Sequence, residues 1–309
     1  MSCYLITGVA GFIGSALTRC LIARGHTVVG IDNLSAGFRE NVPPEVQFIE
    51  GNCQDPTLYA GKVPVIPYAA IIHIAGQSSG EASFDDPVRD LQTNAQATLL
   101  LLEFALKSGC TRFVYASSMY VYGTQPDRGV GEDILPLPLS CYGVGKLASE
   151  YYLRLYEQFG IKHTALRLFS VYGPGQNMGN ERQGMVSIFM AMMEEEGHIE
   201  VKGSPNRYRD FVYIDDVVEA FRLSLEEDAP TGRAFNVGTG IRTSVGDLVE
   251  ALWKCSGRHT TIEYQGSTGG DLYGIYADIS DSVKYLHYEP IVELKEGLAL
   301  MYAWYKGTR

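Results

Sequence analysis

The sequence holds no hydrophobic run approaching the roughly 18 residues that a membrane-spanning helix needs. It has no excess of positive charge: 25 Lys and Arg stand against 36 Asp and Glu, for a net charge of −11. Phosphate backbones need a basic stripe, so nucleic acid is excluded as the main partner, while a local basic pocket for a small phosphate ligand stays compatible. Six cysteines (Cys3, Cys20, Cys53, Cys110, Cys141, Cys255) include no CxxC pair, and no zinc spacing joins them to the six histidines. No metal is expected, and the scattered thiols read as those of a reduced, cytoplasmic chain. The opening MSCYLITG lacks a charged leader and runs directly into an apolar strand, which predicts an unexported, soluble chain.

What is present is an ordinary globular composition, 46% hydrophobic and 20% charged over 309 residues, enough for one large core or two domains. Short apolar runs recur at 3–7, 27–32, 46–50, 69–74, 111–117 and 163–169. Between most of them lie stretches of helical period, with helices expected at 12–24, 88–108 and 142–159. Alternating strands and helices imply right-handed crossovers and a parallel sheet covered on both faces. The expected architecture is α/β, a Rossmann-type doubly wound parallel sheet over 1–170, with ligands at the carboxyl ends of the strands. Beyond Gly173-Pro174-Gly175 the rhythm changes to Gly-, Asn- and Pro-rich loops around amphipathic stretches at 185–196, 215–227 and 244–256. Residues 171–309 therefore read as a smaller α/β substrate lobe, with segments around 209–240 returning to the first domain.

The first strand ends in Thr7-Gly8-Val9-Ala10-Gly11-Phe12-Ile13-Gly14. Gly8 permits the tight turn, Gly11 lets backbone approach a pyrophosphate, and Gly14 lets the helix pack close to the sheet. The helix N-terminus then offers amides and a positive dipole end to the phosphates. Asp32 follows 18 residues after Gly14, at the end of the second strand. Its carboxylate can accept from both ribose hydroxyls and would repel a 2′-phosphate, which predicts NAD rather than NADP. Asn33, Asn52 and Cys53 follow the second and third strands, and Asn52 is placed to meet the adenine amino group. Ala75 and Gly76 follow the fourth strand and complete the expected cofactor contacts with Phe12 and Ile13.

Tyr142 and Lys146 lie four apart at the start of a helix, hence on one face. A phenol beside an ammonium and a bound nicotinamide cation can ionise below its ordinary value of about 10 and act as a general base. Ser117-Ser118 ends the fifth strand, 24 residues before Tyr142, where a doubly wound sheet faces its ligand crevice.

Together these segments resemble the extended short-chain dehydrogenases/reductases, and within them the nucleotide-sugar epimerases of UDP-glucose 4-epimerase type. The resemblance rests on TGVAGFIG (7–14), DNLSAG (32–37), IIHIAGQ (71–77), ASSMYVYG (116–123), YGVGK (142–146), LRLFSVYGPGQ (166–176), RDFVYIDDV (209–217) and FNVGTG (235–240). It implies Tyr142 as the base, Lys146 as its activator and nicotinamide-ribose ligand, and Ser118 as the proton-relaying hydroxyl. It further implies Asn94 near the catalytic centre and the cofactor, Arg209 and Ser170 at the substrate diphosphate, and Asp271 at the nucleotide ribose. Dehydrating relatives carry Asp-Glu directly after the catalytic hydroxyl and decarboxylating ones a Ser-Glu, where this chain has Met119 and Tyr120. The resemblance thus favours oxidation and re-reduction of one sugar carbon, with NAD returned unchanged. C4 is the expected carbon. The bulk of Met119 and Tyr120 leaves a 2-epimerase open, alongside a keto-sugar reductase and, remotely, a non-catalytic NAD-binding scaffold. Two departures, Ser170 for the usual Asn and Thr268 for the usual Arg, make UDP only the default nucleotide, with Arg182 or Arg207 able to compensate. Related enzymes pair the helices matching 88–108 and 142–159, which implies a homodimer.

Overall fold

Runs of β-branched and aromatic residues fit a pleated surface packed on both faces, and the amphipathic stretches between them bury one helical face each. The computed structural model describes residues 1–257, 260–266 and 272–308. Its first half runs β1 (Cys3–Thr7), α1 (Phe12–Ala23), β2 (Thr27–Asp32), β3 (Gln47–Glu50), β4 (Ala70–His73), α2 (Pro87–Leu91), α3 (Ala97–Ser108), β5 (Arg112–Ser118), α4 (Cys141–Tyr156) and β6 (Lys162–Leu168). The second half continues with β7 (Ser170–Tyr172), α5 (Met185–Glu195), β8 (His198–Lys202), β9 (Tyr208–Arg209), β10 (Phe211–Tyr213), α6 (Ile214–Leu223) and β11 (Arg233–Val237). It ends with β12 (Thr243–Ser244), α7 (Val245–Ser256), β13 (Thr261–Gln265), α8 (Ser280–Leu286) and α9 (Leu294–Gly307).

Seven strands form one sheet in the order β11-β6-β5-β4-β1-β2-β3, every pairing parallel. This is the Rossmann-type doubly wound sheet that the alternating pattern predicts. The order reverses between β1 and β4, and a ligand crevice opens beyond the carboxyl ends of strands at such a switch. The other strands pair in twos, β7 with β10, β9 with β12 and β8 with β13. One apolar cluster joins Leu5, Ile71, Leu101, Phe113 and Leu153. A second joins Ile6, Leu17, Val114 and Leu166 to Leu248, Leu298 and Met301, so the second half of the chain completes the core under the sheet.

The stretch 88–108 is not one regular helix. Asp86 caps α2 through the Arg89 amide, Pro87 opens it, and a widened π-type turn at Gln92–Gln96 separates it from α3. In that turn Asn94 Nδ2 donates back to Asp90 O (3.3 Å) and Asp90 Oδ1 (3.2 Å), and across to Gln77 O (3.2 Å). The helix expected over 142–159 is regular from Cys141 to Tyr156, then tightens into a 3₁₀ turn that Gly160 ends with φ +89°.

A buried polar network fastens α4 to the sheet. Glu150 accepts from Arg167 Nε (3.0 Å) and Nη2 (2.7 Å) and from Ser117 Oγ (2.5 Å). Arg167 Nη1 also reaches Tyr122 OH (3.0 Å), which donates to Asn236 Oδ1 on β11 (2.6 Å). Removing one member of such a pair strands the other charge in low dielectric. Glu150→Gln is therefore expected to lower the unfolding free energy by about 3 kcal/mol or more in urea titration. A loss under about 1 kcal/mol would place this pair with weak surface pairs.

Candidate active site

At the β1–α1 junction the chain must reverse tightly and pass close to its own backbone. Gly8 has φ +77°, and a Cβ there would sit 2.8 Å from Ala75 N. A Cβ on Gly14 would lie 2.0 Å from Gly8 O, so the third glycine of the motif is a steric requirement. Gly11 heads α1 with no side-chain cap and no acidic residue in the first turn. The amides of Phe12, Ile13 and Gly14 precede the first intrahelical bond, Ser15 N to Gly11 O (2.9 Å), and are of the kind that bind anions.

Asp32, at the end of β2, is 8% exposed and accepts from Ala10 N through Oδ2 (2.9 Å) and from Leu34 N through Oδ1 (2.8 Å). It braces the glycine turn, with lone pairs remaining on both oxygens for further donors. Asn33 Nδ2 donates to Asn52 Oδ1 (2.6 Å), which links the loops after β2 and β3. Cys53 is buried, its carbonyl accepts from Tyr59 OH (3.0 Å), and burial pushes its thiol up to about 12. Its thiol is accordingly a packing group. Ala75 N is held on Thr7 O (3.2 Å).

The glycine turn opens toward a cavity of about 530 Å³ whose lining includes Phe12, Ile13, Gly76, Ser118, Tyr142, Lys146, Ser170 and Arg209. Gly8, Gly11, Gly14, Asp32, Asn33, Asn52, Cys53, Ala75 and Asn94 lie outside that lining. Asp271 and Thr268 fall outside the described residues. The shape fits NAD: a glycine cradle that a Cβ would fill, uncapped helix amides for a pyrophosphate, and a carboxylate at the end of β2.

Ser140 caps α4 by accepting from Gly143 N (3.1 Å), which sets Tyr142 on the first turn and Lys146 one turn further along the same face. Tyr142 is 6% exposed, and Ser118 at the end of β5 lies beside its hydroxyl. Lys146 is 3% exposed, donates from Nζ to Ala116 O (2.9 Å), and lies 5.7 Å from the Tyr142 ring centre. Burial brings the Lys146 ammonium down to about 8, opposed by the charges of Asp90 and Glu150. The sequence expectation joins this lysine to a bound nicotinamide cation, and the lysine alone does not depress the phenol. Burial raises Tyr142 above its ordinary value, and the Ser118 hydrogen bond only partly offsets it. A desolvated ammonium shared with a backbone carbonyl is a weak counter-charge, so ionisation of Tyr142 depends on further positive charge in the cavity.

The same cavity is lined by Lys202, Arg207 and Arg209, with Gly184 and Met185 at the start of α5. Arg209 is 2% exposed and donates to Tyr208 O (2.7 Å) and Leu272 O (2.6 Å), so it also ties β9 to the segment after Leu272. Arg207 is 9% exposed and lines the cavity. Arg182 also lines it but pairs with Asp85 (2.5 Å) at the rim. Met119 and Tyr120 line the wall beside Ser118, Tyr120 packing edge-on against Tyr142 with ring centres 5.6 Å apart. Sequence reasoning missed Asp90, Glu150 and Lys202. The i, i+4 spacing from Asp90 to Asn94 was the one available signal for the first of these.

The model of the NAD dependent epimerase/dehydratase family matches residues 4–238, and the chain belongs to that family. It is 36% identical over 302 residues to a UDP-glucose 4-epimerase of Mycolicibacterium smegmatis, covering 96% of each chain. The solved UDP-glucose 4-epimerase of Thermotoga maritima with UDP-glucose matches with a TM-score of 0.94 at 33% identity, covering 99% of both chains. A Thermus thermophilus UDP-glucose 4-epimerase complexed with NAD matches at 0.91 and 31% identity, covering 99% of this chain and 100% of that one. The chain is an NAD-dependent isomerase of the nucleotide-sugar epimerase type. Among the described residues no helix is long and apolar enough to cross a membrane.

Gly14→Ala is expected to weaken NAD binding roughly tenfold or more, about 1.4 kcal/mol, because backbone must shift to admit the methyl group. Calorimetric titration with NAD reads this directly, and unchanged affinity would remove Gly14 from the cofactor turn.

Proposed function

We propose that this protein interconverts UDP-glucose and UDP-galactose by inversion at C4 through a transient keto-sugar. One observation carries the reading: Ser118, Tyr142 and Lys146 share a single cavity with Lys202, Arg207 and Arg209. A base and several cations sharing one cavity suit a sugar tethered by a diphosphate. The guanidinium forks hold the phosphates, leaving the sugar free to turn about its anchor and offer either face to the site.

NAD, held by the glycine turn, Asp32 and Lys146, supplies reversible oxidation at the sugar carbon when bound. Tyr142 takes the hydroxyl proton with Ser118 as relay and returns it to the same oxygen after the sugar has turned. Lys146 holds the phenolate and the cofactor ribose. Met119 and Tyr120 bring no carboxylate to the wall next to Ser118, which disfavours elimination of water or loss of carbon dioxide. Ser170 borders the diphosphate end, and Asp271 is assigned to the nucleotide ribose by family resemblance. In this reading the enzyme works in the cytoplasm, where its six cysteines stay reduced.

The homodimer belongs to the same proposal. Val88, Leu91 and Leu106 on α2 and α3, with Tyr151 and Leu155 on α4 and Phe159 just beyond, are all exposed apolar groups on the two helical stretches that relatives pair. Leu155→Glu is expected to shift the sedimentation coefficient to that of a monomer, and a monomeric wild-type protein would overturn the dimer.

Incubation with a panel of UDP-, GDP-, CDP- and dTDP-sugars, followed by NMR, is expected to show inversion at C4 of UDP-glucose. Inversion at C2 would move the assignment to a 2-epimerase, and stoichiometric NADH oxidation by a keto-sugar would make it a reductase. Tyr142→Phe is expected to retain NAD and lose turnover by about two to four orders of magnitude. Near-normal turnover in that variant would mean another group is the base.

A further inference from the structure

Asp90 is a buried carboxyl for which the mechanism above has no use. It is 1% exposed on α2, and its Oδ1 accepts from Asn94 Nδ2 at 3.2 Å. Its Oδ2 is buried without a hydrogen-bond partner among the described residues, and so is Asn94 Oδ1. Both side chains press on α4 at Gly145, the residue before Lys146. A Cβ there would lie 3.2 Å from Asn94 Cβ and 3.5 Å from Asp90 Oδ2. On the far side, Asn94 Oδ1 and Lys146 Nζ both border Gly76, whose absent Cβ would stand 2.5 Å from the one and 3.6 Å from the other.

A buried ammonium needs acceptors and counter-charge. Ala116 O provides one acceptor, at 2.9 Å, and the Tyr115 ring face lies 4.8 Å from Nζ. On α4, Glu150 faces Lys146 but is committed to Arg167 and Ser117. On β4, His73 is fully buried and kept neutral at ordinary pH, brought down to about 3 by burial and by Lys146 itself. Tyr142 and, beyond it, Tyr120 complete the surroundings. Asp90, whose charge acts on Lys146 and whose Oδ2 lies against the neighbouring Gly145, is the carboxylate left without a partner for that oxygen among the described residues.

We propose that Asp90 is a positioning residue for the Tyr142–Lys146 pair, its carboxylate acting as the counter-charge that keeps Lys146 an ammonium and its bond to Asn94 fixing that amide against Gly76. The proposal rests on the reading of Lys146 as NAD-ribose ligand and partner of the base. Asp90 supplies no proton to the substrate. It sets the pH range in which Lys146 can donate.

Burial raises the Asp90 carboxyl to about 6. A folded-state value above the ordinary carboxyl range means that ionised Asp90 costs stability. The penalty grows as pH rises past that range and is complete above about 6. Asp90→Asn is isosteric and removes the charge. It should keep or raise the thermal midpoint at alkaline pH while damaging function, a combination that a purely structural role does not produce.

The deciding measurement is the rate of NAD release from NAD-loaded enzyme across neutral to alkaline pH. Release should accelerate as Lys146 loses its proton. In Asp90→Asn the midpoint of that acceleration should fall by about one pH unit, as expected when an opposing charge is removed. An unchanged midpoint overturns the proposal, as does faster release at every pH with no shift. Should Asp90→Asn fail to fold, Asp90→Ser removes the same charge with less bulk, and an unshifted midpoint there is equally fatal. NAD release does not require turnover, so wild-type enzyme inert toward UDP-glucose would defeat the proposed function while the release profile still decides the role of Asp90.

Discussion

The burial of one ammonium organises this active site. Lys146 is 3% exposed, and a charge taken that far from water must find its solvation in the protein. The carbonyl of Ala116 comes from the end of β5, the aromatic face from Tyr115, and the facing carboxylates from α2 and α4. Three elements, β5, α2 and α4, are consequently held in register around one nitrogen. In the widened turn at Gln92–Gln96, Asn94 reaches back to Asp90 and across to Gln77, which joins this turn to the same surroundings.

The site divides into parts that tolerate little change and parts that are adaptable. Around the glycine turn backbone meets backbone, with Gly14 against Gly8 and Gly8 against Ala75, so the cofactor cradle has no room for variation. Lys202 and Arg207 instead reach the cavity on long side chains from β8 and the turn into β9. With Arg209 they suit the proposed diphosphate anchor, which asks for positive charge and donors rather than one fixed geometry.

Much of this was legible from residue order. The glycine spacing, Asp32 eighteen residues beyond Gly14, and the four-residue step from Tyr142 to Lys146 are local patterns, each enforced by the geometry of one turn or helix. The parallel sheet was legible for the same reason, because strand and helix periods alternate along the chain. Illegible were the groups whose role comes from distant neighbours. Glu150 looks like one more polar residue on α4 until Arg167 and Ser117 arrive from β6 and β5. The proximity of Tyr142 to a lysine can be read from spacing, whereas the desolvation of both groups cannot.

The sequence by itself determined the class of fold, the cofactor turn and the pairing of phenol with amine, because short-range sterics and helical periodicity suffice for each. Only the tertiary structure decided how charged that pair is, which carboxylates face it and which cations share its cavity. Those properties depend on dielectric and on distances between segments far apart in the chain, which no local pattern encodes.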